Sequence, residues 1–133
     1  MTKQLFIGLL LLAGLVSAGC NKNHRLTGKV TFTDGNPVTS GMVIFSTATF
    51  QAKGTIQSDG SYTAGSEKIN DGIPKGTYQV HVTGVEKPTG PSSTVPLCEE
   101  KYFSAANSGL TCTVPAPGNK YDLVLEPHPR NYP

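Results

Sequence analysis

The cysteines are the side chains whose chemistry this sequence constrains most. There are three, Cys20, Cys98 and Cys112, in a chain of 133 residues. Cys20 ends a recognisable leader. Met1-Thr2-Lys3-Gln4 carries one basic residue, Leu5 to Val16 is an apolar run interrupted only by Gly8 and Gly14, and Ser17-Ala18-Gly19 supplies small residues. A charged start, an apolar middle and a small-residue cleavage site are the layout of a secretory signal peptide. The apolar run is shorter than the roughly 20 residues that a membrane span needs. In an exported protein Cys98 and Cys112 form an even pair in an oxidising compartment, and the expectation is a disulfide. Closing a loop of about 15 residues is worth roughly 3 kcal/mol in a chain-entropy estimate. The alternative is two unpaired thiols, with Cys112 buried beside Leu110 and Val114. A metal pair lacks support, because no histidine or further cysteine stands at ligand spacing.

Ala18-Gly19-Cys20 resembles a bacterial lipobox, in which cleavage leaves the cysteine as the new N-terminus. The usual leucine three residues before the cysteine is replaced by Ser17, with Leu15 and Val16 just upstream. The resemblance implies a diacylglycerol on the Cys20 sulfur and an acyl chain such as palmitate on its amine. One acyl chain binds a membrane only marginally, whereas several together hold stably. Two alternatives stay open: ordinary cleavage near Gly19, leaving a soluble protein with a free thiol, and an uncleaved leader acting as the anchor. Asn21 to Arg25 reads as a polar tether, whose Lys22 and Arg25 either touch anionic lipid headgroups or are simply solvated. The expected organisation is thus a signal peptide over 1–19, anchor and tether over 20–25, a domain over 26–126 and a Pro-rich tail over 127–133.

Other reactive side chains form no constellation. His24, His81 and His128 are scattered, and His81 falls on the polar face of a predicted strand, so it is expected to be exposed. Asp34, Asp59 and Asp71 each precede glycine. A calcium site needs several oxygens on one ion, whereas aspartate before glycine is ordinary turn chemistry. No nucleophile elbow, Ser-x-x-Lys arrangement or phosphate-binding glycine loop is present. The expectation is a non-enzyme with no cofactor and no metal site. A formal net charge of +2, from 11 basic and 9 acidic residues, gives no field to attract nucleic acid. Phe50, Tyr62, Tyr102 and Phe103 are the aromatics that could stack on a sugar, although no tryptophan is present. Tyr62 is expected in the core, with one of Tyr102 and Phe103 inward and the other outward.

The elements that would position these groups are strands. Leu26, Gly28, Val30 and Phe32 alternate with Thr27, Lys29, Thr31 and Thr33, the period of a half-buried strand. Asp34-Gly35-Asn36-Pro37 is a turn, and Met42-Val43-Ile44-Phe45 reads as a strand buried near a sheet centre. A strand over Ala52–Gln57, the turn Ser58-Asp59-Gly60-Ser61 and a return over Ser61–Ala64 predict a hairpin. Gly65 to Lys75 reads as a connection. Tyr78, Val80 and Val82 mark a strand over Gly76–Thr83. Pro88, Pro91 and Pro96 make Gly84–Ala106 a long loop or irregular edge. Leu110, Cys112 and Val114, then Tyr121, Leu123 and Leu125, mark the last two strands. Pro127, Pro129 and Pro133 are expected to hold the tail extended. Seven short strands with turn clusters between them, and no helix after the leader, predict an all-β, seven-stranded Ig-like or transthyretin-like β-sandwich.

Taken in order, Gly28-Lys29-Val30-Thr31-Phe32, Asp34-Gly35-Asn36-Pro37-Val38, Met42-Val43-Ile44-Phe45, Ser58-Asp59-Gly60-Ser61-Tyr62, Gly72-Ile73-Pro74-Lys75-Gly76-Thr77-Tyr78 and Gly118-Asn119-Lys120-Tyr121-Asp122-Leu123 resemble the carboxypeptidase-regulatory-like domain of small bacterial lipoproteins. The resemblance covers nearly all of residues 26–126. It implies the transthyretin-like sandwich and an extracytoplasmic setting, and it implies no catalysis. The expected role is a lipid-anchored structural or protein-binding module facing the periplasm or the exterior, with an envelope protein as partner. A carbohydrate-binding surface lipoprotein, with a glycan as partner, is the alternative. The Gly84–Ala106 segment is the expected contact region, because irregular loops on rigid sandwiches commonly carry recognition.

Overall fold

The computed structural model describes residues 23–66 and 71–133. The signal segment and Cys20 lie outside the described residues. Among the described residues there are eleven strands where seven are expected; seven of them, at the expected places, build two facing sheets. The larger sheet has the order β10-β7-β3-β4, from Leu110–Val114, Gly76–Thr83, Met42–Ser46 and Gln51–Thr55. The smaller has the order β11-β2-β5, from Leu123–Leu125, Thr27–Phe32 and Ser61–Thr63. The other four strands form two ribbons: β1 (Asn23–His24) with β6 (Ile73–Pro74), and β8 (Glu86–Gly90) with β9 (Ser93–Pro96).

Alternation decides which side chains meet between the sheets. In β2, Gly28, Val30 and Phe32 are buried while Lys29 is exposed; in β7, Tyr78, Val80 and Val82 are buried. Phe45 of β3 and Leu123 and Leu125 of β11 complete the apolar interior. β3 is an interior strand, flanked by β7 and β4, which explains its unbroken apolar run. Each such side chain removed from water contributes roughly 1.5–3 kcal/mol, and the two faces meet as in other β-sandwiches.

Two expectations about pairing are corrected. The segments around Asp59-Gly60 do not form a two-stranded hairpin. β4 pairs with β3 in the larger sheet, and β5 pairs with β2 in the smaller one. The turn carries the chain across the sandwich, because the inner positions Ala52 and Gly54 of β4 must face Tyr62 of β5 rather than lie beside it. Tyr62 occupies a slot that only glycine permits on both sides. A Cβ on Gly28 would lie 1.9 Å from the Tyr121 carbonyl oxygen and 2.7 Å from the Tyr62 ring, and one on Gly54 would lie 2.9 Å from that ring. The Tyr62 hydroxyl donates to the Tyr121 carbonyl, so the phenol bridges β5 to the chain entering β11.

The second correction concerns Gly84–Ala106. Its first part is an antiparallel ribbon with Glu86 opposite Pro96, Lys87 opposite Val95 and Pro88 opposite Thr94, and with a register shift between Pro88 and Gly90. Proline is compatible with this because each strand of a lone ribbon has one unpaired edge, where no backbone donor is needed. Its second part is a short 3-10 turn, Glu100–Phe103, that buries Tyr102.

The register gives the sandwich two distinct ends. The described chain enters at one, beside Pro74, Gly76, Val114 and Lys120. At the other lie Phe32–Asn36, the Gln57–Gly60 turn, Gly84, Cys98 and Pro127. The eight residues of β7 span that height, roughly 25 Å at 3.3 Å per residue.

Candidate functional site

The two core thiols are free, which corrects the expected Cys98–Cys112 disulfide. Cys112 pairs with Tyr78, near the entry end, while Cys98 bridges to Pro127, past the far end of β11. Six residues of extended strand separate those levels, roughly 15–20 Å. A disulfide requires Cα atoms about 4.4–6.8 Å apart. Burial pushes the Cys98 thiol up to about 12 and the Cys112 thiol up to about 11. Both remain protonated at neutral pH and behave as small apolar side chains rather than nucleophiles.

The histidines are not gathered. His24 lies in β1, His81 in β7 and His128 in the tail. His81 was expected to be exposed; it is half-buried on the outer face of the larger sheet, opposite Ile44, itself 8% exposed. Its Nδ1 is shut off from solvent with no hydrogen-bond partner. Burial accordingly holds this imidazole below its ordinary value. Among the described residues no three His, Cys, Asp or Glu side chains converge.

The three aspartates each hold local backbone. Asp34 Oδ1 accepts from the Asn36 amide at 3.0 Å, Asp59 Oδ1 from the Ser61 amide at 3.0 Å, and Asp71 Oδ1 from the Ser66 amide at 2.6 Å. Asp34 has a further role that spacing could not reveal, because its partner lies 98 residues away. Its Oδ2 accepts the Tyr132 hydroxyl at 2.6 Å, and that hydroxyl accepts from Asn36 Nδ2 at 3.2 Å. The Tyr132 hydrogen bond, followed by the Asn36 amide, holds the Asp34 carboxyl below the usual carboxylate range. The Tyr132 ring packs 4.5 Å from that of Phe32.

Residues 127–133, expected as an extended tail, therefore fold back over the far end. His128 is buried, with its amide bonded to the Leu97 carbonyl. Asn131 Nδ2 donates to the Pro96 carbonyl at 3.0 Å, and the Asn131 carbonyl accepts from Lys87 Nζ at 3.4 Å. These bonds brace the root of the β8–β9 ribbon. Beside it, Lys101 Nζ and the Tyr102 hydroxyl both reach Glu126 Oε1, at 2.7 and 3.0 Å.

The ribbon is the element with the chemical freedom to recognise something. All five residues of β8 are exposed, as are Ser93 and Thr94 of β9. Thr89, Ser92, Ser93 and Thr94 crowd its tip with hydroxyls, and Thr89 Oγ1 lies 3.1 Å from Ser93 Oγ. At its root the Leu97 amide bonds to the Val85 carbonyl, and Val85 is fully buried. The ribbon is thus polar and exposed at its tip and hydrogen-bonded to the body of the sandwich at its root.

No protein-family model matches this chain, and no curated protein matches it. Its fold is similar to that of the major pilin subunit BcpA of Bacillus cereus, with a TM-score of 0.50 at 11% sequence identity. The likeness covers 80% of this chain and 30% of the pilin. It identifies the architecture: the chain is an all-β, Ig-like sandwich.

Proposed function

We propose that this protein is a lipid-anchored, extracytoplasmic β-sandwich module of the carboxypeptidase-regulatory-like type, with a protein-binding rather than a catalytic role. The β8–β9 ribbon carries this reading, because all of β8 and the first half of β9 are exposed while its root is braced. Its place at the end opposite chain entry adds support, since a partner would meet it away from a membrane holding Cys20. The leader and the lipobox-like Ala18-Gly19-Cys20 support the anchor and the envelope location. The family assignment draws on the ordered segments of residues 28–123, which build the two sheets. The carbohydrate alternative finds less support, because a sugar platform needs an exposed ring. Tyr62 and Tyr102 are buried, and Phe50 and Phe103 are only partly exposed and pack against the core.

Photo-crosslinkers placed at Thr89 and Ser92 in the ribbon and at Thr111 on the outer face of β10 test the proposal in intact cells. A discrete envelope protein captured from the ribbon positions but not from Thr111 is expected. Identical products from all three positions would overturn the ribbon's role. Cys20→Ala should release the protein from membranes or block its maturation, and normal processing with unchanged membrane retention would overturn the anchor.

A further inference from the structure

The charges of the sandwich are sorted by end, although the chain as a whole is nearly balanced. Among the described residues the entry end carries Arg25, Lys75 and Lys120, all exposed, against one carboxylate, Asp71. Asp71 is engaged by the Ser66 amide and hydroxyl. The register gathers these cations from three separate stretches of chain. Arg25 lies between β1 and β2, Lys75 between β6 and β7, and Lys120 bridges to Thr27 at the start of β2. Asp122 sits further in along the strands, accepting the Lys29 amide at 2.9 Å. The far end has the opposite sign. Asp34, Asp59, Glu86, Glu99, Glu100 and Glu126 outnumber Lys87, Lys101 and Arg130 there.

We propose that the entry end is a membrane-contact surface that rests on anionic phospholipid headgroups and holds the sandwich upright, with the β8–β9 ribbon pointing away from the bilayer. This rests on the anchored reading above. A lipid on Cys20 would leave only Asn21 and Lys22 between the anchor and Asn23, the first described residue, so the entry end would be confined to the headgroup layer. Confinement matters because attraction to a charged surface fades within a Debye length, about 8–10 Å at physiological salt. Basic residues held inside that layer each gain about a fivefold preference for it. The acidic far end, roughly 25 Å away along β7, lies beyond the layer and would be repelled if the domain tipped over. Opposite charges on the two ends thus select one orientation out of those that a short tether allows.

Amine footprinting of the full mature protein tests this. The protein is reconstituted on vesicles of phosphatidylcholine alone and of phosphatidylcholine mixed with phosphatidylglycerol, and labelling is read lysine by lysine by mass spectrometry. Lys75 and Lys120 should label about fivefold more slowly on the anionic vesicles, the protection should vanish in high salt, and Lys87 and Lys101 should label equally on both. Flotation on neutral vesicles reads the anchor separately. Flotation with equal labelling at both ends would overturn the contact surface and leave the anchor standing. Failure to float on neutral vesicles, with Lys75 and Lys120 still protected on anionic ones, would overturn the anchor and uphold the surface. The variant Arg25→Gln, Lys75→Gln changes only exposed residues outside the strands and keeps Lys120 as reporter. Lys120 should lose most of its protection on anionic vesicles, whereas undiminished protection of Lys120 would count against the contact surface.

Discussion

Reductant should leave the thermal stability of the folded domain unchanged. Cys98 and Cys112 lie at opposite ends of the core, each buried and each a free thiol. Had they been bonded, the closed loop would supply roughly 3 kcal/mol of chain-entropy stabilisation. For a domain of this size 1 kcal/mol corresponds to about 4–8 °C in the melting temperature, so reducing such a bond would lower it by roughly 12–24 °C. Free thiols predict no shift. The assay is a pair of melts, with and without a phosphine reductant, on protein purified without reductant. Alkylation followed by mass spectrometry supplies the second readout. Both thiols should resist labelling in the native protein and react fully once it is unfolded, because burial keeps them protonated and out of reach. A reductant-dependent drop of 10 °C or so, or a peptide joining Cys98 to Cys112, would refute the reasoning and require a different register for β10 or for the segment after β9.

Gly28→Ala should destabilise the domain by about 3 kcal/mol or more, since its Cβ would meet the Tyr121 backbone and the Tyr62 ring together; urea denaturation measures it, and a loss below about 1 kcal/mol would contradict the slot. Deleting residues 127–133 should lower stability and expose the ribbon root to protease, because His128 is buried and Tyr132 packs on Phe32; limited proteolysis of the truncated chain would show otherwise if cleavage stayed unchanged. His81 has a folded-state pKa below its unfolded value of about 6.5. Its contribution is therefore fully present above that pH and is lost as pH falls through the lower folded value. Melts between neutral pH and pH 5 should slope downward in the wild type and flatten in His81→Leu, and an unaltered slope in the variant would sink this assignment.

What the sequence made legible follows from what local pattern encodes. Two-residue alternation in Thr27–Phe32, Gly76–Thr83 and Leu110–Val114 marked strands, because each has one face in the core and one in water. Partner choice was less visible. The Asp59-Gly60 turn is equally suited to a hairpin and to a crossing between sheets, and only the need to cover Tyr62 from both sides decides between them. The ribbon was hidden because Pro88, Pro91 and Pro96 signal irregularity, yet each sits where a lone ribbon tolerates a missing donor. Cysteine parity encouraged a bond that the register forbids. The prolines of the tail predict only an extended path, whereas Tyr132 and Asp34 meet across 98 residues of chain.

The parallel pairing of β2 with β11 has a consequence for how this domain would bear load. β2 opens the main body of the fold, β11 closes it, and Leu123 lies opposite Val30, Val124 opposite Thr31 and Leu125 opposite Phe32. A pull on the two ends of the domain in opposite directions runs along both strands and tries to slide one past the other. The backbone bonds between them, with the Tyr121 amide on the Thr27 carbonyl at one end and the Thr33 amide on the Leu125 carbonyl at the other, would then be strained side by side rather than peeled apart singly.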